Sequence, residues 1–191
     1  YQVSWELGDR ISLLYGTENF AFTGKTAGPV SEFTGKALLI PAKDHYIAVY
    51  PYSEDYLLEG RSFNINLPSL VSPVPDSFSG AVGTALVSGE EAVFKHATGY
   101  ISFQVTRNDI SHVIIRSGNG EALSGTFKVT VNADGSSSME AVEGDDELLI
   151  NTQMIAGTYY VPLPPRGYNG FNISLKSSEG VADSFTEKYP K

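Results

Sequence analysis

Histidine, serine and acidic side chains are the groups in this chain that could take part in catalysis or metal binding. The three histidines are His45, His96 and His112, and none has a second histidine or a carboxylate at the spacing of a zinc site. Ser111 precedes His112, but neither a Gly-x-Ser-x-Gly elbow nor a following helix accompanies the pair. We therefore expect surface or turn histidines and no enzyme.

The densest group of acids is the Glu-Gly-Asp-Asp-Glu run at residues 143–147. A calcium site is one interpretation, because hard cations bind several carboxylate oxygens. The spacing of an EF-hand loop is not met, so we prefer a solvated hairpin turn. Asp9 is interpreted in the same way, as a turn residue that holds its own backbone.

Gly118-Asn119-Gly120 lacks the Gly-Lys-Ser/Thr ending and the helix of a phosphate loop, and it predicts a hairpin turn. The chain therefore offers no catalytic, cofactor-binding or metal-binding residue that its motifs support. We expect a protein that works without enzymatic chemistry, a cofactor or a metal.

Composition limits the possible partners. The 191 residues include 41% hydrophobic and 12% aromatic side chains, enough for a well-buried core, and no cysteine. Disulfides and thiolate chemistry are therefore excluded. The net charge of -9 opposes binding to nucleic acid and to anionic membranes. No apolar run approaches the ~20 residues that span a bilayer, so direct membrane insertion is not expected.

The elements that would carry any site are strands. Short alternating runs between Gly, Asn, Asp, Ser and Pro predict an all-β protein with almost no helix. The central run is Tyr46-Ile47-Ala48-Val49-Tyr50-Pro51-Tyr52, which is apolar or aromatic on both faces. Such a run predicts a strand covered on both sides, with pairing that weakens or stops at Pro51 because proline cannot donate.

Other expected strands show the same alternation. They are residues 11–15, 19–23, an edge strand around Phe33, 63–67, 81–87, 92–95, 101–105, 113–116, 126–131, 148–151, 159–163 and 171–176, with a weaker candidate at 182–187. Lys36 to Ile40 should form a hairpin with the tyrosine strand, and Pro68 to Pro75 should be a crossover loop. No composition shift divides the chain, so residues 1–191 are predicted to form one β-sandwich domain.

Six short sequence motifs occur in a recognisable order along nearly the whole chain. They are Trp5 to Ile11 (Trp-x-x-Gly-Asp-x-Ile), Tyr46 to Tyr52, Leu67-Pro68-Ser69, Phe94-Lys95 with Gly99 to Val105 and Asp109-Ile110, Asn119 to Gly125, and Tyr159-Tyr160-Val161 with Pro164-Pro165 and Gly170 to Gly180. This series resembles the amino-terminal domain of the fimbrillin-like surface proteins, which are fimbrial subunits and adhesins of Bacteroides-type bacteria. Leu70-Val71 departs from the family, which commonly has a Gln there.

The resemblance implies an antiparallel β-sandwich of transthyretin or immunoglobulin type. It also implies a secreted protein of the cell surface, made as a lipoprotein precursor anchored in the outer membrane. The role would be structural and adhesive, through assembly with other fimbrial subunits by strand addition and through attachment to a host or bacterial surface receptor or glycan. A leader, a strand before Trp5 and a second domain are usual in the family, so the chain is expected to be the amino-terminal domain of a longer protein.

An open sheet edge is accordingly expected beside Tyr1 to Trp5, where a strand from another chain could add. The rival interpretation is a carbohydrate-binding module of a secreted or surface protein. Tyr56, Tyr100 and Tyr168, which are expected at outward or loop positions, would then form a sugar platform with nearby Asn and Asp. A third possibility, an accessory domain of a surface enzyme, would need a catalytic neighbour.

Overall fold

The chain is all-β in a computed structural model that describes residues 4–37, 46–177 and 180–187. Within those ranges there is no helix, and the strands form several antiparallel sheets. The strands are β1 (Arg10–Tyr15), β2 (Glu18–Gly24), β3 (Phe33–Gly35), β4 (Ile47–Tyr50), β5 (Ser62–Leu67), β6 (Leu70–Val71), β7 (Gly83–Ser88), β8 (Glu91–Ala92), β9 (Lys95–His96), β10 (Gly99–Val105), β11 (Ile110–Ser117), β12 (Ser124–Val131), β13 (Ser137–Asp145), β14 (Glu147–Asn151), β15 (Gly157–Leu163), β16 (Phe171–Ser177) and β17 (Gly180–Glu187). The expected fold class is confirmed.

The chain folds into two compact units, each made of three chain segments. The first comprises residues 1–64, 81–97 and 129–138, and the second comprises residues 65–80, 98–128 and 139–191. The expectation of one domain over residues 1–191 stays a prediction.

The tyrosine strand lies at the centre of the first unit's sheet. The strand order is β3-β2-β1-β4-β7-β8, with β9 also paired to β7. Ile47, Ala48 and Val49 of β4 are all buried, although successive residues point to opposite faces. The register pairs of β4 end at Val49 with β1 and at Tyr50 with β7, but Tyr52 N still donates to the carbonyl O of Arg10 on β1 at 2.9 Å, so pairing weakens at Pro51 without ending there. The prediction of a strand covered on both faces is confirmed, as is the edge position of β3.

Trp5 covers part of one face of this sheet. Its ring packs edge-to-face on Phe33, Tyr50 and Phe94, at centroid distances of 4.9, 5.2 and 5.1 Å. The buried side chains of this cluster are Ile11, Ala48 and Ala85. Edge-to-face rings contribute about 0.5–1.5 kcal/mol per pair beyond the area they bury, so Trp5 is a main stabilising residue of the first unit.

The second unit contains a two-layer β-sandwich. One layer is the five-stranded sheet β17-β16-β11-β14-β6, and the other is the two-stranded sheet β10-β15. Buried side chains from both layers form one core: Val113, Ile115, Ile150 and Ile173 from the larger sheet, and Val105, Tyr159, Val161 and Leu163 from the smaller. The core lies between a layer of five strands and a layer of only two.

Proline restricts the segment from Pro68 to Pro75, as its sequence predicts. The segment forms only the two-residue strand β6, which pairs in parallel with β14 at the edge of its sheet. Strands β5, β12 and β13 form a three-stranded sheet in the order β13-β12-β5. The side chains of Phe63, Ile65 and Leu67 on β5 are buried and those of Asn64 and Asn66 are exposed, in agreement with the predicted alternation.

Two predicted hairpin turns are wrong. The acidic run 143–147 ends β13 and begins β14, and these strands belong to different sheets. Gly118 to Gly120 follows β11 and precedes β12, which also lie in different sheets. Both segments connect sheets, because turn residues specify a reversal of direction but not the strand's next partner. The predicted hairpin from Lys36 to the tyrosine strand lies mostly outside the described residues.

Candidate functional site

The histidines do not form a catalytic or metal site in the described part of the chain. His45 lies outside it, and His96 is exposed on the short strand β9. On β11, His112 Nδ1 and Ser111 Oγ are 2.9 Å apart, and Ser111 Oγ also donates to the carbonyl O of Lys176 at 3.3 Å. The described residues contain no group of three His, Cys, Asp or Glu that could hold a metal ion.

The acidic side chains have local structural roles. Asp9 holds its own turn, as predicted: Glu6 N donates to Asp9 Oδ2 at 2.8 Å, and Tyr50 Oη donates to Asp9 Oδ1 at 3.2 Å. Glu147, in the acidic run, forms an ion pair with Arg116 on the neighbouring strand β11. The run therefore lies along two strands of different sheets and is not a single cluster of carboxylates.

The three tyrosines proposed as a sugar platform have different surroundings. Tyr56 is buried in the first unit, 5.4 Å from the ring of Phe63, and burial followed by the nearby Asp55 charge raises its pKa. Tyr56 lies in a loop, one of the two expected positions, but the expected exposure is wrong because its ring is part of the packed interior. Tyr100 and Tyr168 are half-buried, and both line one cavity of the second unit.

This cavity of about 640 Å³ runs along β10. Six consecutive strand residues, Gly99 to Gln104, line it. Side chains of a strand alternate between faces, so a wall of consecutive residues shows that the cavity follows the edge of the strand. The remaining wall is formed by Leu163, Pro164, Pro165, Arg166, Tyr168, Phe171 and Ile173. We call this cavity the β10 groove.

The outer edge of β10 is open among the described strands. β10 pairs with β15 from Gly99↔Leu163 to Val105↔Gly157, and the sheet contains no third strand. Ile101 and Phe103 pack against the core of the sandwich but remain only half-buried. Because the core is covered on its other side by five strands, these two side chains mark the place where the smaller layer is incomplete.

The opposite edge of this layer is covered. Asp76 N donates to the carbonyl O of Thr158 on β15 at 2.7 Å, and Thr158 N donates to Asp76 Oδ1 at 3.4 Å. The Phe78 ring stacks on Tyr160 at 4.1 Å. Pro162, also on β15, has no N–H to leave unpaired. The segment 75–80 therefore protects β15, and no described segment does this for β10.

Charge also distinguishes β10 from another edge strand. β13 lies at the edge of its sheet and carries Glu140, Glu143 and Asp145 over nine residues. Charged side chains discourage an edge strand from pairing with another chain. β10, with the sequence Gly-Tyr-Ile-Ser-Phe-Gln-Val, has no charged residue. Among the described strands it is therefore an open edge without the charged residues that protect β13.

The loop from Pro164 to Gly170 closes one end of the β10 groove. Tyr168 Oη donates to the carbonyl O of Pro164 at 2.7 Å. Burial raises the pKa of Tyr168 to about 12, with Arg166 lowering it and Glu121 raising it. Burial also raises the pKa of Glu121, but N–H groups from its own main chain, Asn169 and Asn119 and the Ser117 hydroxyl outweigh burial, so the pKa is lowered. Glu121 thus remains a carboxylate bound to the loop backbone.

Arg166 is the one arginine without a hydrogen bond, an ion pair or a ring contact within the described residues. Arg10 lies 4.2 Å from the centroid of the Tyr52 ring, Arg61 donates to a carbonyl, and Arg107 and Arg116 form ion pairs. Arg166 is exposed on the wall of the β10 groove, and no Asp or Glu contributes to that wall. The charges of both Arg166 and Glu121 act on Tyr168, which lines the same wall.

The open edge expected beside Tyr1 to Trp5 is not found at Trp5. Trp5 N donates to the carbonyl O of Gly28 at 2.8 Å, and Gly28 N donates to that of Trp5 at 2.9 Å. Residues 1–3 lie outside the described part of the chain. No local pattern in the sequence indicates that β10 lies at an edge among the described strands, because its alternation is that of any half-buried strand.

Among the described residues, no helix is long and apolar enough to pass through a bilayer. No model of a known protein family matches this sequence, and no curated protein is significantly similar to it.

Proposed function

We propose that the protein is a structural or adhesive subunit of a bacterial surface fimbria, or a fimbrillin-like adhesin, and that it assembles by accepting an extended segment along β10. The protein then acts outside the cell by assembly and attachment, with no chemical step. Its partners are other subunits and a surface receptor or glycan.

One observation carries this proposal: the outer edge of β10, which no described strand pairs, carries no charged residue and lies beside the half-buried Ile101 and Phe103. An added strand would bond to the outward N–H and C=O groups of Ser102 and Gln104 on β10. Its alternate side chains would cover Ile101 and Phe103, since strand residues two apart share a face. Main-chain pairing would provide affinity, and the two apolar contacts would fix the register.

Amide hydrogen exchange on the full chain tests the open edge. Among the described strands β10 pairs only with β15, and its outward residues include Ser102 and Gln104, so the amides of these two should exchange fast. The amides of β11 from His112 to Arg116, which lie between β14 and β16, should be slow. An acetylated and amidated Thr-Val-Thr-Val-Thr-Val peptide serves as a generic extended partner. Its addition should slow the fast β10 amides selectively.

A pair of variants makes the test specific. Ser102→Lys together with Gln104→Lys places two charges at exposed positions of β10 and should abolish the peptide's effect. Asn172→Lys, at an exposed position of β16 between β11 and β17, is the matched control and should leave the effect intact. Uniformly slow β10 amides in the peptide-free monomer would show that the edge is closed, and the proposal would be rejected.

Carbohydrate binding is the second candidate, because Tyr100 and Tyr168 line the same cavity. Aromatic rings next to polar side chains such as Ser102 and Gln104 are typical of small-molecule sites, and the volume lies within their range. A glycan array on the full chain tests this function. Binding that Tyr168→Ala removes and that the exposed control Lys128→Ala leaves unchanged would support it, whereas an array without binding would reject it.

A further inference from the structure

We infer that Asn119 is a site of spontaneous deamidation, and that the second Asn-Gly dipeptide of the chain, Asn169-Gly170, is protected from the same reaction by its packing. The inference concerns a covalent modification of the chain itself and does not depend on the proposed strand addition. It rests on two copies of one dipeptide that lie in the second unit, share the hydrogen-bond acceptor Glu121 and have different surroundings.

The chemistry needs only the dipeptide and water. Asparagine followed by glycine offers the least steric resistance, because glycine has no side chain beside its nitrogen. Gly120 N gives up its proton and bonds to Cγ of Asn119, and the Cγ–Nδ2 bond breaks, so that Nδ2 leaves as ammonia with that proton. Water then opens the resulting succinimide ring. Hydrolysis at Cγ leaves an aspartate at position 119, and hydrolysis at the main-chain carbonyl carbon leaves an isoaspartate.

The Asn119-Gly120 dipeptide can reach the geometry of ring closure without disturbing the fold. It lies in the connection from β11 to β12, and both residues are exposed. Gly120 N makes no hydrogen bond to a described residue, and no described atom outside the adjoining residues lies within 4 Å of an added Cβ. Asn119 N donates to Glu121 Oε2 at 3.1 Å, but this nitrogen is not an atom of the succinimide ring.

The Asn169-Gly170 dipeptide is held in place by its neighbours. Gly170 is buried, and its carbonyl O accepts Gly118 N at 2.8 Å. A Cβ added to Gly118 would lie only 3.2 Å from the carbonyl O of Asn169. The next residue, Phe171, pairs with Ser117 at the start of β16. Ring closure must turn the carbonyl group of Asn169 and move Gly170 N, so this dipeptide reacts only after it opens locally.

Deamidation at Asn119 changes the charge beside Glu121. The Glu121 carboxylate accepts the N–H groups of Asn119 at 3.1 Å and Asn169 at 3.3 Å, so it joins the two loops. A carboxylate at position 119 would repel the charge of Glu121, and an isoaspartate would also lengthen the main chain between them. The reaction therefore acts on the link between these loops. The modified chain, with one further negative charge, can be separated by anion exchange.

Peptide mapping of the full chain after incubation at mildly alkaline pH tests the inference. Trypsin cleaves after Arg116 and Lys128 and after Arg166 and Lys176, so the two dipeptides fall on separate peptides. Mass spectrometry with fragmentation should show aspartate and isoaspartate at position 119. The rate at Asn169 should be at least about tenfold lower, which corresponds to a local opening of about 1.4 kcal/mol. In urea that unfolds the chain, the two rates should become similar.

A pair of glycine variants makes the test specific. Gly120→Ala places a methyl group beside the attacking nitrogen and should slow the reaction at position 119 severalfold. Gly89→Ala is the matched control, because Gly89 also has a positive φ and open space around an added Cβ, and it should leave the rate unchanged. Equal rates at the two dipeptides in the folded chain would overturn the inference. So would an unmodified position 119 under conditions in which the chain in urea reacts.

Discussion

The close approach of β12 and β13 predicts a large loss of stability for Gly125→Ala. Gly125 has a φ of +110°, where an L-residue is strained by about 1–3 kcal/mol. The added Cβ would also press on the carbonyl O of Glu143 and lie 2.6 Å from the Cα of Gly144. Overpacking of this kind costs about 1–3 kcal/mol more, so the free energy of unfolding should fall by about 2–6 kcal/mol.

Two other glycines separate the effect of backbone strain from the effect of overpacking on the free energy of unfolding. Gly120 has a φ of +76° and no atom within 4 Å of an added Cβ, so Gly120→Ala should cost only the backbone strain. Gly144 has an ordinary φ, but its Cβ would lie 2.5 Å from the carbonyl O of Ser124 and 2.8 Å from the Cβ of Ala122, so Gly144→Ala should cost the overpacking. Urea unfolding followed by far-ultraviolet circular dichroism gives all three values.

The order of the three losses in the free energy of unfolding tests whether β12 and β13 approach each other this closely. Gly125→Ala should be the most destabilising, and Gly120→Ala should lie within about 1–3 kcal/mol of the wild type. The double variant of Gly125 and Gly144 should be non-additive, because both added methyl groups enter the same contact between strands. If Gly125→Ala is no more destabilising than Gly120→Ala, the two strands do not approach as described.

Four further predictions use other parts of the chain. Phe127→Ala removes a fully buried ring and should lower the free energy of unfolding by about 3–5 kcal/mol in urea. Thr84→Val should raise it by about 1 kcal/mol, because the buried Thr84 hydroxyl has no hydrogen bond among the described residues, whereas Thr84→Ser should not. Tyr168→Phe should cost about 0.5–1.5 kcal/mol for the lost hydrogen bond. The pKa of Tyr168 is about 12 in the folded state and about 10 in the unfolded state, so its contribution to the free energy of unfolding is complete below pH 10 and is lost as the pH rises through 12. Tyr168→Phe should therefore make the free energy of unfolding fall less steeply over this alkaline range. A chelator should leave the Tm unchanged, and a loss of several degrees would indicate a metal site.

Strands with one or two apolar faces could be predicted from the sequence. β5 shows this well, because Phe63, Ile65 and Leu67 alternate with asparagines and the structure buries those three. The sequence does not predict β13, because this strand lacks an alternating hydrophobic pattern. Its residues are mostly exposed and include Ser, Glu and Gly, so main-chain pairing with β12 holds it in place without a hydrophobic pattern.

The candidate site depends on pairings that no local pattern contains. Tyr100 and Tyr168 were each identifiable as candidate surface aromatics, but their common cavity requires β10 to pair with β15, almost 60 residues later. Arg166 belongs to no motif, and its position on the wall of the groove has no local signal in the sequence. The sequence could not indicate that β10 has one partner, since an edge strand and a central strand share the same alternation.

The packing of Trp5 has a spectroscopic consequence. Trp5 is the one tryptophan of the sequence, and three aromatic rings hold it edge-to-face in the first unit. A rigid, asymmetric ring cluster should give the indole a distinct near-ultraviolet circular dichroism band. Fluorescence excited at about 295 nm, where indole absorbs selectively, reports on this cluster, whereas the far-ultraviolet circular dichroism signal averages over all strands. Loosening of the packing around Trp5 can therefore be observed before the sheets themselves are lost.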